Sequence, residues 1–253
     1  MKLIAGGDSF IYGSELADCP NGKTYSQKTF TALLSKEYNL DYQCSAYPGN
    51  SNNSISRSVI NTVELCKSNK VVVVCWTFPQ RWEFRLFNEQ GKDQWFNVNS
   101  WHTDKKYRFN SLDFDESMIR KFATEYFKTA GASEYYEVYS TLKEILFLQY
   151  YLKTNNVPYL FTTANNTFFE HENYNRNVSN ELITLTNEID WDGWYFFPKG
   201  SGPSQTEAPR GFYQWAIENK YSIGPESHPL EQAHQDAFKL IKEKFNEVVK
   251  KNN

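Results

Sequence analysis

Residues 3–10 read LIAGGDSF. The apolar start and the two glycines predict a short buried strand, Leu3–Gly7, that ends in a tight turn. Ser9 follows directly, where a strand passes into a helix, so we expect an exposed hydroxyl and a backbone N–H that can face a developing negative charge. The tripeptide Gly7-Asp8-Ser9 is also typical of a helix N-cap or a plain turn, so it does not decide the chemistry by itself.

The rest of the chain predicts the sheet around this strand. Residues Val71–Cys75 form an unbroken, mostly β-branched run, which indicates burial on both faces, as in a parallel sheet. Strands alternate with helices along the chain, and this predicts an α/β fold, a three-layer αβα sandwich. We expect a parallel flavodoxin-like sheet with strand order two, one, three, four, five, and a single domain spanning residues 1–253.

The other predicted elements follow from apolar periodicity and breaker residues. Three further strands are predicted at Tyr42–Ala46, Pro158–Thr163 and Trp191–Phe197. Helices are predicted at Thr24–Tyr38, Ser54–Cys66, Asp115–Thr129, Tyr135–Thr154, Asn177–Ile189, Gly211–Asn219 and Leu230–Lys250. An aromatic-rich insertion, Arg81–Phe114, is expected after strand three, with a hairpin around residues 89–92.

Composition narrows the class of partner. The net charge is −3 and Lys and Arg form no dense cluster, which disfavours a nucleic-acid partner because phosphate binding needs concentrated positive charge. The longest apolar run, Val71–Trp76, is too short to cross a bilayer, and the first residues lack the features of a signal peptide. We therefore expect no membrane partner and a cytoplasmic location.

The four cysteines show no CxxC pairing, which predicts reduced thiols and no metal site.

A second loop is expected beside Ser9, because the carboxyl ends of parallel strands share one edge of the sheet. Residues 48–53, PGNSNN, follow strand two. Glycine permits close approach of the backbone, so the N–H of Gly49 is a candidate donor to an oxyanion. The loop also suits a helix start, with Asn52 or Ser54 as the N-cap.

A third loop, WTFPQRWE at residues 76–83, follows strand three. Thr77 would lie at the carboxyl end of that strand, within reach of the same cleft. Arg81 and Glu83 are candidates for a structural ion pair, which is the commoner role of such residues.

The fourth segment, ESHP at residues 226–229, precedes the last predicted helix. A neutral imidazole at His228 can accept a proton from a serine. The alternative is a surface histidine in a helix start, with Pro229 at the first helical position. His234 falls on a different face of that helix, and we interpret it as structural.

These segments, in this order, resemble the SGNH (GDSL-like) hydrolase superfamily. The resemblance rests on Gly7-Asp8-Ser9, on Gly49 in Gly-Asn-Ser-Asn, and on His228-Pro229 before a terminal helix. Trp76-Thr77 with Arg81 and Glu83, and Trp215 with His228-Pro229 and His234, are similar to divergent SGNH-like proteins of tailed bacteriophages. Because of that similarity, a virion-associated location is a second expectation beside the cytoplasmic one.

The resemblance implies a role for each matched residue. Ser9 would be the nucleophile and one oxyanion donor, Gly49 a second donor, and His228 the general base. The family usually supplies a side-chain donor, an Asn beyond strand three, which this chain lacks. The side-chain donor is then either missing or replaced by Thr77, Asn50 or Asn52.

The acid that orients the histidine also departs from the family pattern. The family places an Asp three residues before the histidine, and this chain has Pro225 there. Glu226 is the nearest carboxylate and our expected third catalytic residue; a segment containing Asp192, or a dyad without a carboxylate, are the alternatives. Asp8 and Arg81 complete the expected site as substrate-binding residues.

The resemblance implies an ester hydrolase that works through an acyl-serine intermediate and needs no cofactor. Short acyl esters, such as O-acetyl groups on a carbohydrate, are the expected substrates. The alternative from another class is a catalytically silent SGNH-like binding or structural module. A nucleotide-binding flavodoxin-like protein is disfavoured because the chain has no glycine-rich phosphate loop.

Overall fold

The structure, a computed structural model, describes residues 1–20, 22–87, 91, 93–104, 115–166, 180–199 and 210–250. Its strands are β1 (Lys2–Gly6), β2 (Asp41–Cys44), β3 (Lys70–Trp76), β4 (Trp82–Phe87), β5 (Asp93–Val98) and β6 (Tyr159–Thr163). Its α-helices are α1 (Ser9–Tyr12), α2 (Phe30–Glu37), α3 (Asn52–Leu65), α4 (Glu116–Lys128), α5 (Glu134–Thr154), α6 (Asn180–Asn187), α7 (Phe212–Glu218) and α8 (Glu231–Lys250). Short 3-10 turns lie at Ser100–Thr103 and Trp191–Gly193.

The central sheet is parallel and has the order β2-β1-β3-β6. In the register of the sheet, Leu3 of β1 lies between Tyr42 of β2 and Val71 of β3, and Val74 of β3 lies beside Phe161 of β6. This confirms the predicted α/β fold and the order of the first four strands of the main sheet. The carboxyl ends of β1, β2 and β3 therefore share one edge, where ligands bind in folds of this type.

The predicted fifth strand, Trp191–Phe197, does not form. Only a parallel bridge between Phe161 and Trp194 and an antiparallel bridge between Phe197 and Arg210 remain there. The 3-10 turn uses the N–H groups of Gly193 and Trp194 internally, and the N–H of Tyr195 is the one that reaches the Phe161 carbonyl, at 2.8 Å. The prediction of a five-stranded sheet was wrong for this segment because the turn consumes the donors that a ladder needs.

Helices cover both faces of the sheet, and alternate strand residues point to each layer. Leu3, Ala5, Val71, Val73 and Cys75 pack in one core with residues of α2, α7 and α8. Ile4, Val72, Val74, Trp76 and Phe161 pack in the other with residues of α3, α5 and α6. This two-residue alternation explains why β3 is apolar from Val71 to Trp76: both of its faces are covered.

The insertion after β3 begins as an antiparallel hairpin. β4 pairs with β5 from Trp82 opposite Val98 to Phe87 opposite Asp93, so a hairpin is present where one was predicted. Of its predicted turn, residues 89, 90 and 92 lie outside the described part of the chain. α4 then packs beside the 3-10 turn Ser100–Thr103.

Among helices whose predicted start lies in the described residues, α2 and α3 begin two or more residues from that start, and the others begin within one residue of it. α2 begins after its N-cap Thr29, whose side chain accepts the Ala32 N–H, while the preceding residues are held as a loop by Asp18 and Tyr12. α3 begins earlier, since Ser51 is its N-cap and accepts the Ser54 N–H, not Asn52 or Ser54 as expected. Within the described ranges, no helix combines the length and the apolar character needed to span a bilayer.

Candidate active site

Ser9 is the first residue of α1, directly past the end of β1. The turn is tight: a Cβ on Gly7 would lie 2.5 Å from Ile11 Cγ1, so only glycine fits. Asp8 caps the helix by accepting the Phe10 N–H at 3.0 Å. Ser9 is 7% exposed, less than expected, since two loops bond to the residues before it. Among the described residues its Oγ and its N–H have no hydrogen-bond partner.

The loop after β2 brings a second backbone donor to this edge. Tyr47 to Asn50 form a turn closed by the Asn50 N–H on the Tyr47 carbonyl at 3.1 Å, with Pro48 and Gly49 in its centre. Gly49 has φ +79°, and a Cβ there would meet nothing within 4 Å, so the backbone angle alone favours glycine. No described residue accepts a hydrogen bond from the Gly49 N–H.

Asn50 fixes this loop against the Ser9 turn. Its Nδ2 donates to the Gly7 carbonyl at 3.0 Å, and its Oδ1 accepts the Ser54 hydroxyl at 2.9 Å. The side chain is almost fully buried. It therefore positions Gly49 relative to Ser9 from inside the protein. This bond uses one of the two amide hydrogens, and the expected oxyanion role of Asn50 stays a prediction.

Asn52 is likewise consumed by internal bonds. Its Oδ1 accepts the Thr77 N–H at 2.9 Å, while its Nδ2 donates to the Thr77 carbonyl at 3.2 Å and to Thr141 Oγ1 at 3.1 Å. Both amide hydrogens have acceptors, which contradicts the oxyanion role. Asn52 instead ties α3 to the end of β3 and to α5.

Thr77 does not offer its hydroxyl to a substrate either. Its Oγ1 donates a hydrogen bond to Asp8 Oδ2 at 2.5 Å, and a hydroxyl has a single hydrogen to give. Thr77 is completely buried. The residue thus supports the N-cap of Ser9's helix and is not an oxyanion donor.

Asp8 and Arg81 form an ion pair next to the Ser9 turn. Arg81 Nη1 lies 2.9 Å from Asp8 Oδ2, and Asp8 is completely buried. Complete burial contradicts substrate contact for Asp8, whose oxygens bind Phe10, Thr77 and Arg81. Arg81 does not pair with Glu83 as expected, because Glu83 holds Arg57 through two hydrogen bonds of 2.9 and 2.6 Å.

His228 is held by a carboxylate that the sequence did not single out. Its Nδ1 lies 2.6 Å from Oε2 of Glu15, and the Glu15 carboxylate also accepts the N–H groups of Glu226 and His228. Burial raises the pKa of Glu15, but these hydrogen bonds and the nearby imidazole lower it by more, so its pKa lies below the usual value. Glu15 is thus the ionised acceptor that a histidine base requires.

Glu226, the expected orienting acid, contributes its backbone instead of its carboxylate. The Ser227 N–H bonds the Gly224 carbonyl at 2.9 Å, so Gly224 to Ser227 form a turn with Pro225 second, and Glu226 is exposed on it. A Cβ on Gly224 would lie 2.6 Å from the Glu15 carboxylate. The close approach of this turn therefore depends on glycine at that position.

Two of the alternatives given for His228 are wrong. Pro229 bridges to Ile223 and precedes α8, which begins at Glu231, so it is not the first helical residue. Asp190 binds Lys153 at 2.7 Å and the Tyr159 hydroxyl at 3.1 Å, at the start of β6. The segment containing Asp192 therefore lies at the amino end of the sheet, away from His228.

The imidazole of His228 packs beside the Ser9 turn. Its ring lies edge-on to Phe10, with ring centres 5.4 Å apart. No hydrogen bond joins Ser9 Oγ to His228 in the described part of the chain, so their direct contact remains a prediction. Catalytic hydrogen bonds are often long without substrate and shorten when it binds.

His234 has the structural role expected of it. It is buried against Phe30 and Phe212, and its Nδ1 accepts the Phe30 N–H at 3.3 Å. Burial lowers the pKa of His234 to about 3, so it is neutral at physiological pH. Among the described residues, no group of three or more His, Cys, Asp or Glu side chains is arranged to hold a metal ion.

No sequence pattern identifies Glu15 as the carboxylate that bonds His228. Glu15 follows the end of α1 at Gly13 and adopts a left-handed φ of 68°. It has no periodic or motif relation to His228, from which it is separated by 213 positions. Only the folded chain brings the two together.

Comparison with known proteins gives remote structural similarity only. No protein-family model and no curated protein match the chain. It is similar to the psychrotrophic esterase EstA from Pseudoalteromonas sp., at 10% identity and a TM-score of 0.47, over 100% of this chain and 99% of that one. A protein assigned to the lipolytic G-D-S-L family of Desulfitobacterium hafniense DCB-2 is 12% identical, with a TM-score of 0.41 over 98% of both chains.

A carbohydrate esterase whose active site is described as having divergent catalytic and non-catalytic binding functions is 13% identical. Its TM-score is 0.42, over 97% of this chain and 68% of that one. At such identities, the chemistry of this chain has to be argued from its own side chains.

Proposed function

We propose that this protein is an ester hydrolase of the SGNH type, with Ser9 as nucleophile and His228 as general base. The observation that carries the proposal is the Glu15–His228 pair, at 2.6 Å, beside the turn that presents Ser9. An imidazole whose Nδ1 is bonded to an ionised carboxylate keeps its lone pair on Nε2. That nitrogen is the one available to a serine hydroxyl.

The acyl transfer follows from these positions. Ser9 Oγ bonds to the acyl carbon, its proton passes to His228 Nε2, and the carbonyl electrons move onto the oxygen. Collapse restores the carbonyl and breaks the bond to the alcohol oxygen, which leaves with the proton from Nε2. Water then attacks the acyl-serine in the same way, releases the acid and regenerates Ser9.

The oxyanion is expected between two backbone donors. The N–H groups of Ser9 and Gly49 have no acceptor among the described residues, and Asn50 ties the Gly49 loop to the residues before Ser9. Donors fixed before the reaction stabilise the charge without reorganisation, and the loss of one typically costs about 10²–10³ in kcat. This arrangement supports acyl transfer over a binding role alone.

Aromatic side chains near Ser9 favour a small ester on a carbohydrate. Tyr47, in the Gly49 loop, is 63% exposed, and Trp101, beside Arg81, is 41% exposed. Phe78 and Tyr213 pack on Phe10. Exposed rings offer flat apolar faces to a sugar, while the closely covered Ser9 suits a short acyl group such as acetyl.

A fluorophosphonate probe tests the proposal directly. We expect covalent labelling at Ser9, located by mass spectrometry, and hydrolysis of p-nitrophenyl acetate that falls by about 10⁴-fold or more in Ser9→Ala with little change in melting temperature. Ser14→Ala, in the same segment, is the matched control and should retain both properties. An unlabelled Ser9 with no hydrolysis would identify the chain as a silent binding module.

A further inference from the structure

Arg81 contacts the residues next to Ser9 and Gly49, whose backbone N–H groups are the expected oxyanion donors. Its Nη1 bonds Asp8 Oδ2 at 2.9 Å, and Asp8 immediately precedes Ser9. The same Nη1 lies 3.4 Å from the carbonyl of Asn50, which immediately follows Gly49. The guanidinium therefore joins the two loops whose N–H groups are the expected oxyanion donors.

Most of the hydrogen-bonding capacity of this guanidinium remains unused. Arginine carries five N–H donors, and Nη1, which bonds Asp8, Asn50 and Thr77 Oγ1, supplies two of them. Nη2 and Nε have no acceptor among the described residues. The side chain of Arg81 is 10% exposed, whereas that of Asp8 is completely buried.

The guanidinium is also fixed in orientation. Its central carbon lies 4.8 Å from the ring centre of Phe78 and 5.4 Å from that of Trp101. The ion pair to the completely buried Asp8 restrains one side of the group. A planar donor held in this way requires little reorganisation when charge develops nearby.

We infer that Arg81 is the third oxyanion donor and replaces the side-chain amide that the SGNH pattern supplies. The inference rests on the proposed function. Asn52 and Thr77 have committed all their side-chain hydrogens to internal bonds, and Asn50 has committed one of its two. Arg81 keeps the three N–H groups of Nη2 and Nε without an acceptor among the described residues. Nη2 or Nε donates to the carbonyl oxygen as it becomes negative, while Asp8 balances the charge of the arginine before the reaction.

Arg81→Lys tests the inference. Lysine keeps a cation for Asp8 but has a single ammonium group, so it cannot bond Asp8 and also present a second arm to the oxyanion. We expect kcat for p-nitrophenyl acetate, and the rate of fluorophosphonate labelling at Ser9, to fall by about 10²–10³-fold with little change in KM. Arg57→Lys, which alters the Arg57–Glu83 pair instead, should leave both rates unchanged and controls for general loss of an arginine.

A second variant guards against failure to fold. In Asp8→Asn with Arg81→Gln the buried pair becomes neutral, and we expect the same loss of labelling rate in a protein whose circular dichroism is that of wild type. A wild-type labelling rate in either folded variant would overturn the role of Arg81. That result differs from failure of the proposed function, in which Ser9 of the wild-type protein is itself never labelled.

Discussion

Two carboxylates lie on either side of Ser9 in the chain, and they have different partners. Asp8 is completely buried and bonds Arg81, a permanent cation. The side chain of Glu15 is 15% exposed and bonds the imidazole of His228. Both carboxylates also accept backbone N–H groups, so their surroundings differ mainly in the partner side chain.

The partner decides what each carboxylate can do. An arginine does not release its proton, so the Asp8–Arg81 pair serves as a fixed support for the turn that holds Ser9. In the proposed mechanism His228 takes up and releases a proton, and Glu15 would stabilise the imidazolium that forms. Removal of Asp8 should therefore affect stability first, and removal of the Glu15 charge should affect catalysis first.

The largest effect is expected for Glu15, the carboxylate that bonds His228, and it is expected on kcat. Glu15→Gln keeps the volume of the side chain but removes its charge, so His228 loses the acceptor that selects its tautomer. We expect kcat for p-nitrophenyl acetate to fall on the order of 10⁴-fold, with KM and the melting temperature changed much less. Steady-state kinetics and thermal unfolding of the purified variant measure the two effects.

Glu226→Gln is the matched control for this variant. Glu226 lies on the same turn as His228 but reaches Glu15 through its backbone N–H, which the substitution retains. Wild-type kinetics are expected. A large loss of kcat in this variant, with none in Glu15→Gln, would return the role of orienting acid to Glu226.

Asp8→Asn tests the Asp8–Arg81 pair, and we expect it to lower the free energy of unfolding. It leaves Arg81 buried without its counter-ion, and breaking a buried pair in this way typically costs about 3–5 kcal/mol. Asp93→Asn, which breaks the half-exposed pair with Arg85, should cost roughly 0–1 kcal/mol. Urea unfolding of both variants measures the difference, and equal losses would mean that the Asp8 pair gives no special support.

The smallest effect is a pH dependence that belongs to Glu15. Its pKa is lowered in the folded state, so between that pKa and the ordinary value of 4.5 the unfolded chain binds more protons. The stability that Glu15 contributes is therefore complete above about pH 4.5 and is lost as the pH falls through the folded pKa. The melting-temperature gap between wild type and Glu15→Gln should narrow in that acid range, and a gap that widens there would contradict the lowered pKa.

The fold could be predicted from the sequence where burial is unambiguous. The run Val71–Cys75 has to be covered on both faces, and it lies in the interior of the parallel sheet. Trp191–Phe197 is rich in aromatic residues, but a 3-10 turn there competes with strand pairing through backbone hydrogen bonds that composition does not encode. The single-domain organisation and the bacteriophage-type resemblance stay predictions.

The candidate site could be predicted only where a local motif exists. Ser9, Gly49 and His228 each follow or precede a recognisable turn, and the structure brings their segments to one edge of the sheet. The roles of the polar residues between them were harder to predict. Asn50, Asn52 and Thr77 are residue types that can donate to an oxyanion, but in the structure Asn50 bonds Gly7, Thr77 bonds Asp8, and Asn52 bonds Thr77. Glu15 has no local signal, since its role comes from a contact across the chain.

Because Glu15 and His228 are far apart in the chain, the ribosome synthesises the segment containing Ser9 and Glu15 well before the segment containing His228. The two residues are 213 positions apart, and a ribosome adds roughly 5–20 residues per second, so the serine segment emerges about 10–40 s before the histidine segment. During that interval the Ser9 segment has been synthesised but His228 has not. If Ser9 and His228 act as proposed, the nascent protein is inactive until the segment before α8 docks against Glu15.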